Sequence, residues 1–114
     1  MLSEATGKKI FKIIEGARFL VANKATWTQR TNARDSDGYS TDSNNPNARR
    51  WCALGALEKV ANPSGYEAGL ASEAAWQLSG NIGLAAINDH DGREAVLTLF
   101  DDWLDANRAQ RACG

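Results

Sequence analysis

The chain has 114 residues, a net charge of −1 and 43% apolar side chains. That length suits one domain able to bury roughly two thirds of its unfolded surface, and the near-neutral charge excludes a global pull toward nucleic acid or membrane. Two cysteines are too few for a disulfide framework, and no stretch approaches the ~20 apolar residues of a membrane helix.

Ile10, Ile13, Ile14, Ala17, Leu20 and Val21 recur at helical spacing, with Lys8, Lys9, Lys12 and Glu15 elsewhere on the wheel. This predicts an amphipathic helix from about Glu4 to Ala22. Gly16 inside it costs about 1 kcal/mol against Ala, which suits a close helix crossing. Met1 to Lys12 has no apolar run ahead of its lysines, so no secretory leader is expected.

Thr26 to Asn47 holds Asn, Asp, Ser, Thr and Gly, with no aliphatic residue larger than Ala. It reads as a loop of about twenty residues anchored by Trp27 and Tyr39, a length usually reserved for function or disorder. Asp35-Ser36-Asp37-Gly38 has turn chemistry. Asn45-Pro46 resembles a helix start, with Asn45 as cap and Pro46 at the first helical position. The helix predicted from there to about Ala61 is apolar or small on every side between Trp51 and Leu57. Such a helix has to be surrounded, and it is expected to be the centre of the fold.

Asn62-Pro63-Ser64-Gly65 is a turn pattern, and Ser64 with Glu67 forms a capping box for a helix over Leu70, Ala71, Ala74, Ala75 and Leu78 that stops at Gly80. Asn81 to Asn88 fits either one helical turn or an extended segment. Asp91 with Glu94 is a second capping signal. The helix after it carries Val96, Leu99, Phe100 and Trp103 on one face and Asp101, Asp102 and Asp105 on the other. With no clear strand pair, the expected fold is all-α. It is a compact four-helix domain around a buried central helix at about 46–61, with a long loop at about 26–45 and a frayed tail at about 108–114. Residues 1–26 carry five Lys/Arg and two Glu, and residues 81–114 carry six Asp/Glu and three Arg. Two solvated faces account for this asymmetry, and terminal helices that attract each other are the alternative.

Cys52 and His90 are the candidate nucleophile and base. A helix beginning at Pro46 would place Cys52 nearly two turns inside, beyond the reach of the helix dipole and among apolar neighbours that raise a thiol pKa. The expectation is a core cysteine, and an exposed loop histidine flanked by Asp89 and Asp91. Asp35-Ser-Asp37-Gly38 and Asp89-His-Asp91-Gly92 share part of a calcium-loop pattern. Their first and twelfth positions are Ala33 and Asn44, or Ile87 and Thr98, so the first carboxylate and the bidentate Glu are missing. No metal and no cofactor are expected. A helix-turn-helix reader after Gly65 would carry Glu67 and Glu73 and no cation, which disfavours nucleic acid. The long loop is the better site: Trp27, Arg34, Asp35, Asn88 and Asp89 are expected to meet at one end of the bundle. Arg34 beside a carboxylate would give a polar cluster that either pins the loop or contacts a partner.

Three islands carry a resemblance. They are Trp27-Thr28-Gln29 followed by Ala33-Arg34-Asp35-x-x-Gly38, then Cys52-x-x-Gly55-Ala56, then Ile87-Asn88-Asp89 followed by Arg93-x-x-Val96. In this order the chain resembles a family of small bacterial proteins of unknown function over about Ile10 to Leu104. The resemblance implies a small α domain and no assigned activity, and His90 is not a position of the family pattern. The resulting expectation is a cytoplasmic, non-catalytic accessory or interaction module, whose partner is another protein or a second copy of the chain. A thiol enzyme using Cys52 and His90, or a small-ligand binder at the loop cluster, is the alternative. Leu54→Ala and Leu57→Ala are each expected to cost about 2–5 kcal/mol, and Gly55→Leu at least as much where another helix crosses.

Overall fold

The computed structural model describes residues 4–61 and 68–108. Its longest helix, α1 (Glu4–Ala22), has the bounds that its apolar spacing predicts. Ile10, Ile13, Ile14, Ala17 and Val21 are buried on its inner face. Four further helices follow: α2 (Ala53–Ala61), α3 (Ala68–Ser79), α4 (Leu84–His90) and α5 (Arg93–Ala106). α1 packs against α2, α3 and α5, so the helix at the centre is the N-terminal one. Gly16 lies at the crossing with α2. A Cβ there would stand 3.0 Å from Val60 Cγ1, so a larger residue would crowd that side chain at the crossing. Arg18 donates from Nε and Nη2 to the two carboxylate oxygens of Asp101, at 2.8 and 3.2 Å. This bidentate pair ties α1 to α5, as the charge asymmetry allowed.

The all-α expectation is overturned. Residues expected as loop and as the start of the central helix form a three-stranded antiparallel sheet: β1 (Ala33–Asp35), β2 (Ser40–Thr41) and β3 (Ala48–Trp51), in the order β2-β1-β3. Ala33 faces Thr41 on one side and Trp51 on the other, and the β1–β3 register shifts between Arg34 and Asp35. Among the described residues the mixed fold is therefore five α-helices and a small sheet, and the central helix of about 46–61 shrinks to α2.

Asn45-Pro46 explains the misreading, because the same chemistry serves two structures. An Asx side chain accepting the amide two residues on, followed by Pro with its fixed φ, suits a helix start and a tight turn equally. Here Asn47 N–H donates to Asn45 Oδ1 at 2.8 Å, and Ala48 N–H closes the turn on Asn45 O at 2.9 Å. The strands lack the β-branched alternation that marks a sheet in sequence, and β3 reads buried, exposed, exposed, buried. They form because a segment covering the core must pair its backbone N–H and C=O groups. Asp35-Ser36-Asp37-Gly38 is the β1–β2 turn, with Gly38 at φ 88 and Asp35 Oδ1 accepting from the amides of Asp37 and Tyr39. Tyr39 is 73% exposed and anchors nothing, so Trp27, Ala33 and Trp51 hold the segment down instead.

The ambiguous stretch from Asn81 is a 3₁₀ turn, Gly80–Ile82, leading into α4. The Asp91–Glu94 capping box does not form. Gly92 at φ 91 precedes α5 with no side-chain cap, and Asp91 Oδ1 instead meets His90 Nδ1 at 2.9 Å. The Asn62–Gly65 turn, the Ser64–Glu67 box, Cys113 and the tail beyond Arg108 lie outside the described residues. Among the described residues, no helix is long and apolar enough to cross a membrane.

Candidate functional site

Asn88 sits in α4 with no exposed surface, and its amide uses both of its polar atoms twice. Oδ1 accepts from the Trp27 indole N–H at 2.8 Å and from the backbone N–H of Ala53, the first residue of α2, at 3.0 Å. Nδ2 donates to the Thr28 carbonyl at 3.0 Å and to Asp89 Oδ1 at 3.2 Å. One side chain thus joins α4, the head of α2 and the start of the segment that leads into the sheet. Asp89 extends the seam by accepting the Arg30 backbone N–H at 2.7 Å, and Gln29 Nε2 donates to the carbonyls of Asn88 and Asp89 at 2.9 and 3.2 Å.

Of the expected cluster, Trp27, Asn88 and Asp89 do come together. Arg34 joins them indirectly, and without the carboxylate that the sequence suggested. Its Nε donates to Thr28 Oγ1 at 2.9 Å, and its two terminal nitrogens donate to the carbonyls of Gly38 and Gln29 at 3.0 and 3.2 Å. Asp35 stays apart, with its carboxylate spent on the β1–β2 turn.

The head of α2 is closed from several sides. Cys52 precedes the helix: its carbonyl accepts from Ala56 N–H at 2.8 Å, and its sulfur accepts from Gly55 N–H at 3.2 Å. Cys52 is therefore the N-cap, and does not lie two turns inside a longer helix. The amides of Gly55 and Leu54 pull its thiol pKa down, but burial is the larger effect and leaves it above the ordinary value. Gly55 makes the approach of the loop possible. A Cβ on it would stand 2.0 Å from the carbonyl oxygen of Asn32, so what crosses here is backbone from the sheet segment rather than a helix. The Asn32 carbonyl also accepts the Cys52 amide at 3.1 Å. Ser43 completes the seam, donating to Glu58 at 2.7 Å and accepting the Trp51 indole on its carbonyl at 2.9 Å.

The proposed thiol–imidazole pair is not assembled. Cys52 is 3% exposed, the His90 side chain is 90% exposed, and each has its hydrogen bond elsewhere, to Gly55 and Asp91 respectively. A nucleophile needs its base within hydrogen-bond reach and its attacking atom accessible, and here the thiol serves as a cap.

The polar seam backs onto a cleft of about 880 Å³ that opens broadly to solvent between the Lys24–Arg34 segment and the α4–α5 junction. Trp27 and Arg34 line it, while Asn88 and Asp89 stand behind its wall. Lys24, Arg30 and Arg93 also line it, so four cations face two carboxylates, Asp91 and Glu94. Arg93 is engaged, donating to the Ala22 carbonyl at 2.7 Å and pairing with Glu94 at 3.2 Å. Sequence reading does not bring Lys24, Arg30 and Arg93 together, since cations spread over about seventy positions give no local signal of a shared cleft. Thr28, Gln29 and Gly55 were within the quoted islands, whereas nothing in sequence pointed to Asn32, Ser43 or Glu58.

Neither the curated proteins nor the solved structures include a match to this chain. A family model matches residues 6–110, nearly the whole of the region just described, and the chain belongs to that family of unknown function, DUF6197.

Proposed function

We propose that this protein is a non-catalytic protein-interaction module whose contact surface is the cleft between the Lys24–Arg34 segment and the α4–α5 junction. The observation that carries this reading is the way the cleft is built. Its wall is pinned from behind by the Asn88 bonds to the Trp27 indole and the Thr28 carbonyl, and a wall fixed in advance loses little freedom on binding. The groups with chemistry of their own are committed to structure: Asn88 to the seam, Arg34 to three oxygens, Cys52 to the head of α2. What faces outward is charge and one aromatic ring. A free buried thiol at Cys52 suits a reducing compartment, and we place the protein in the cytoplasm on that ground.

The test is a photo-reactive residue introduced at Arg30, on the cleft rim, and separately at Thr98, an exposed position on α5 outside the cleft. In the protein's own cells, irradiation is expected to join a discrete protein to the first position and not to the second. The mass of the adduct distinguishes a different partner from a second copy of the chain. Equal capture at both positions, or none at Arg30, would refute the cleft as the contact surface.

A further inference from the structure

Two observations at the cleft say what kind of partner it takes. The first is the state of its cations. Arg34 and Arg93 spend their guanidinium donors within the fold, but the side chains of Lys24 and Arg30 have no partner among the described residues. The carboxylates nearby are already engaged, Asp91 with His90 and Glu94 with Arg93. The cleft therefore presents two unpaired, exposed cations beside the half-buried ring of Trp27, while its other two cations, Arg34 and Arg93, are balanced in charge by Asp91 and Glu94.

The second observation is the backbone at Arg30. Its φ is 68°, the only positive value at a non-glycine residue among the described residues. A side chain there is strained, and folding alone would be better served by glycine. The strained conformation is held by the bond from the Arg30 amide to Asp89 at 2.7 Å, and it carries a long cation on the rim of the cleft. Among the described residues, nothing uses that cation.

Resting on the interaction-module reading, we propose that the cleft docks an acidic segment of a partner protein, whose carboxylates pair with Lys24 and Arg30 across the ring of Trp27. Breadth favours a segment over a small metabolite. Small-molecule sites bury most of their ligand, whereas this cleft is open along one side, as suits a strip of chain anchored by a few side chains. Charge complementarity of this kind sets specificity and encounter rate more than it adds raw affinity, and it weakens as salt is added.

The experiment uses the full chain and a fluorescently labelled peptide of alternating Glu and Asp around one Phe, with a control in which every carboxylate is replaced by the matching amide. Anisotropy is expected to show binding of the acidic peptide, weakening with salt, and no comparable binding of the amide control. Lys24→Gln with Arg30→Gln should lower the affinity by about tenfold, since both cations are exposed. Arg30→Gly separates partner contact from structure. It should lose affinity while keeping a Tm at or above that of the native protein, because the strain at φ 68 is relieved. Equal binding of the amide peptide, unchanged affinity in the double variant, or a fall in Tm for Arg30→Gly would each overturn the proposal. If inorganic phosphate or a small dicarboxylate displaced the peptide as well as its own unlabelled form did, the site would belong to a small anion and the proposal would also fall. A photo-adduct at Arg30 without acidic-peptide binding would leave the cleft standing as the contact surface and remove only the acidic partner.

Discussion

The two halves of the molecule are held by different forces. The helical half is held by burial: Ile10, Ile14, Val21, Leu57, Val96 and Phe100 are all wholly inside, and none of them needs a polar partner. The segment from Trp27 to Trp51 has little of this. Its buried apolar residues are Ala33, Ala48 and Trp51, and it is held by polar bonds to Asn88, Asp89, Cys52 and Glu58. The first kind of cohesion is non-directional and spread over many atoms. The second is directional and concentrated in a few, and each buried bond left unmade costs more than each bond made contributes.

This difference also decides what could be read in advance. Burial leaves a period along the chain, so α1 was legible to the residue, and α3 and α5 were legible in place and face. Polar pairing at a distance leaves none. Asn88 and Ala53 are 35 positions apart, and nothing near Asn88 in sequence says that it will satisfy the head of another helix. Asn45-Pro46 reads as a helix start because local chemistry does not show that β1 lies beside Ala48–Trp51. The candidate site was half legible for the same reason. Trp27, Asn88 and Asp89 meet at one end of the bundle as their sequence suggests, whereas the cations of the cleft come from the Lys24–Arg34 segment and the start of α5, which share no local pattern. Cys52 shows a subtler case: the sequence points to a position inside α2, the structure places the residue at its head, and the raised thiol pKa rests on burial outweighing the cap.

Substitutions can sharpen the contrast. Leu57→Ala removes a wholly buried side chain from the apolar half and should cost about 2–5 kcal/mol in a denaturant titration. Leu54, half-buried beside α3 and α4, should cost clearly less than its neighbour, against the equal cost that sequence alone suggested. Gly55→Ala acts at the boundary between the halves. Its Cβ meets the Asn32 backbone first, which cannot swing aside as a side chain can, so about 3 kcal/mol is expected, the upper end for overpacking, from the same titration. A near-native midpoint for Gly55→Ala would mean that the Asn32 carbonyl is not seated where it is described.

The smallest effect concerns pH. Burial keeps the Cys52 thiol protonated in the folded protein, while in the unfolded chain it ionises near its ordinary value of about 8.5. As pH rises through that value, the unfolded state gives up a proton that the folded state retains, so stability falls with rising pH and is unaffected below it. Compared with Cys52→Ala, the native protein should lose stability on moving from neutral to alkaline buffer. Parallel pH profiles for the two would show that the thiol is open to ionise in the folded state.

Hydrogen exchange on Asn88→Ala tests the account at its centre. Truncation orphans the Trp27 indole, the Ala53 amide and the Thr28 carbonyl, and should cost on the order of 3–5 kcal/mol. The pattern matters more than the total. The amides of Thr28, Arg30, Asp35 and Cys52 should exchange much faster than in the native protein, while those in the middle of α1 and α5 keep their protection relative to global unfolding. Uniform loss of protection across both halves, or unchanged exchange from Thr28 to Cys52, would contradict the claim that this one amide fastens the sheet segment to the helices.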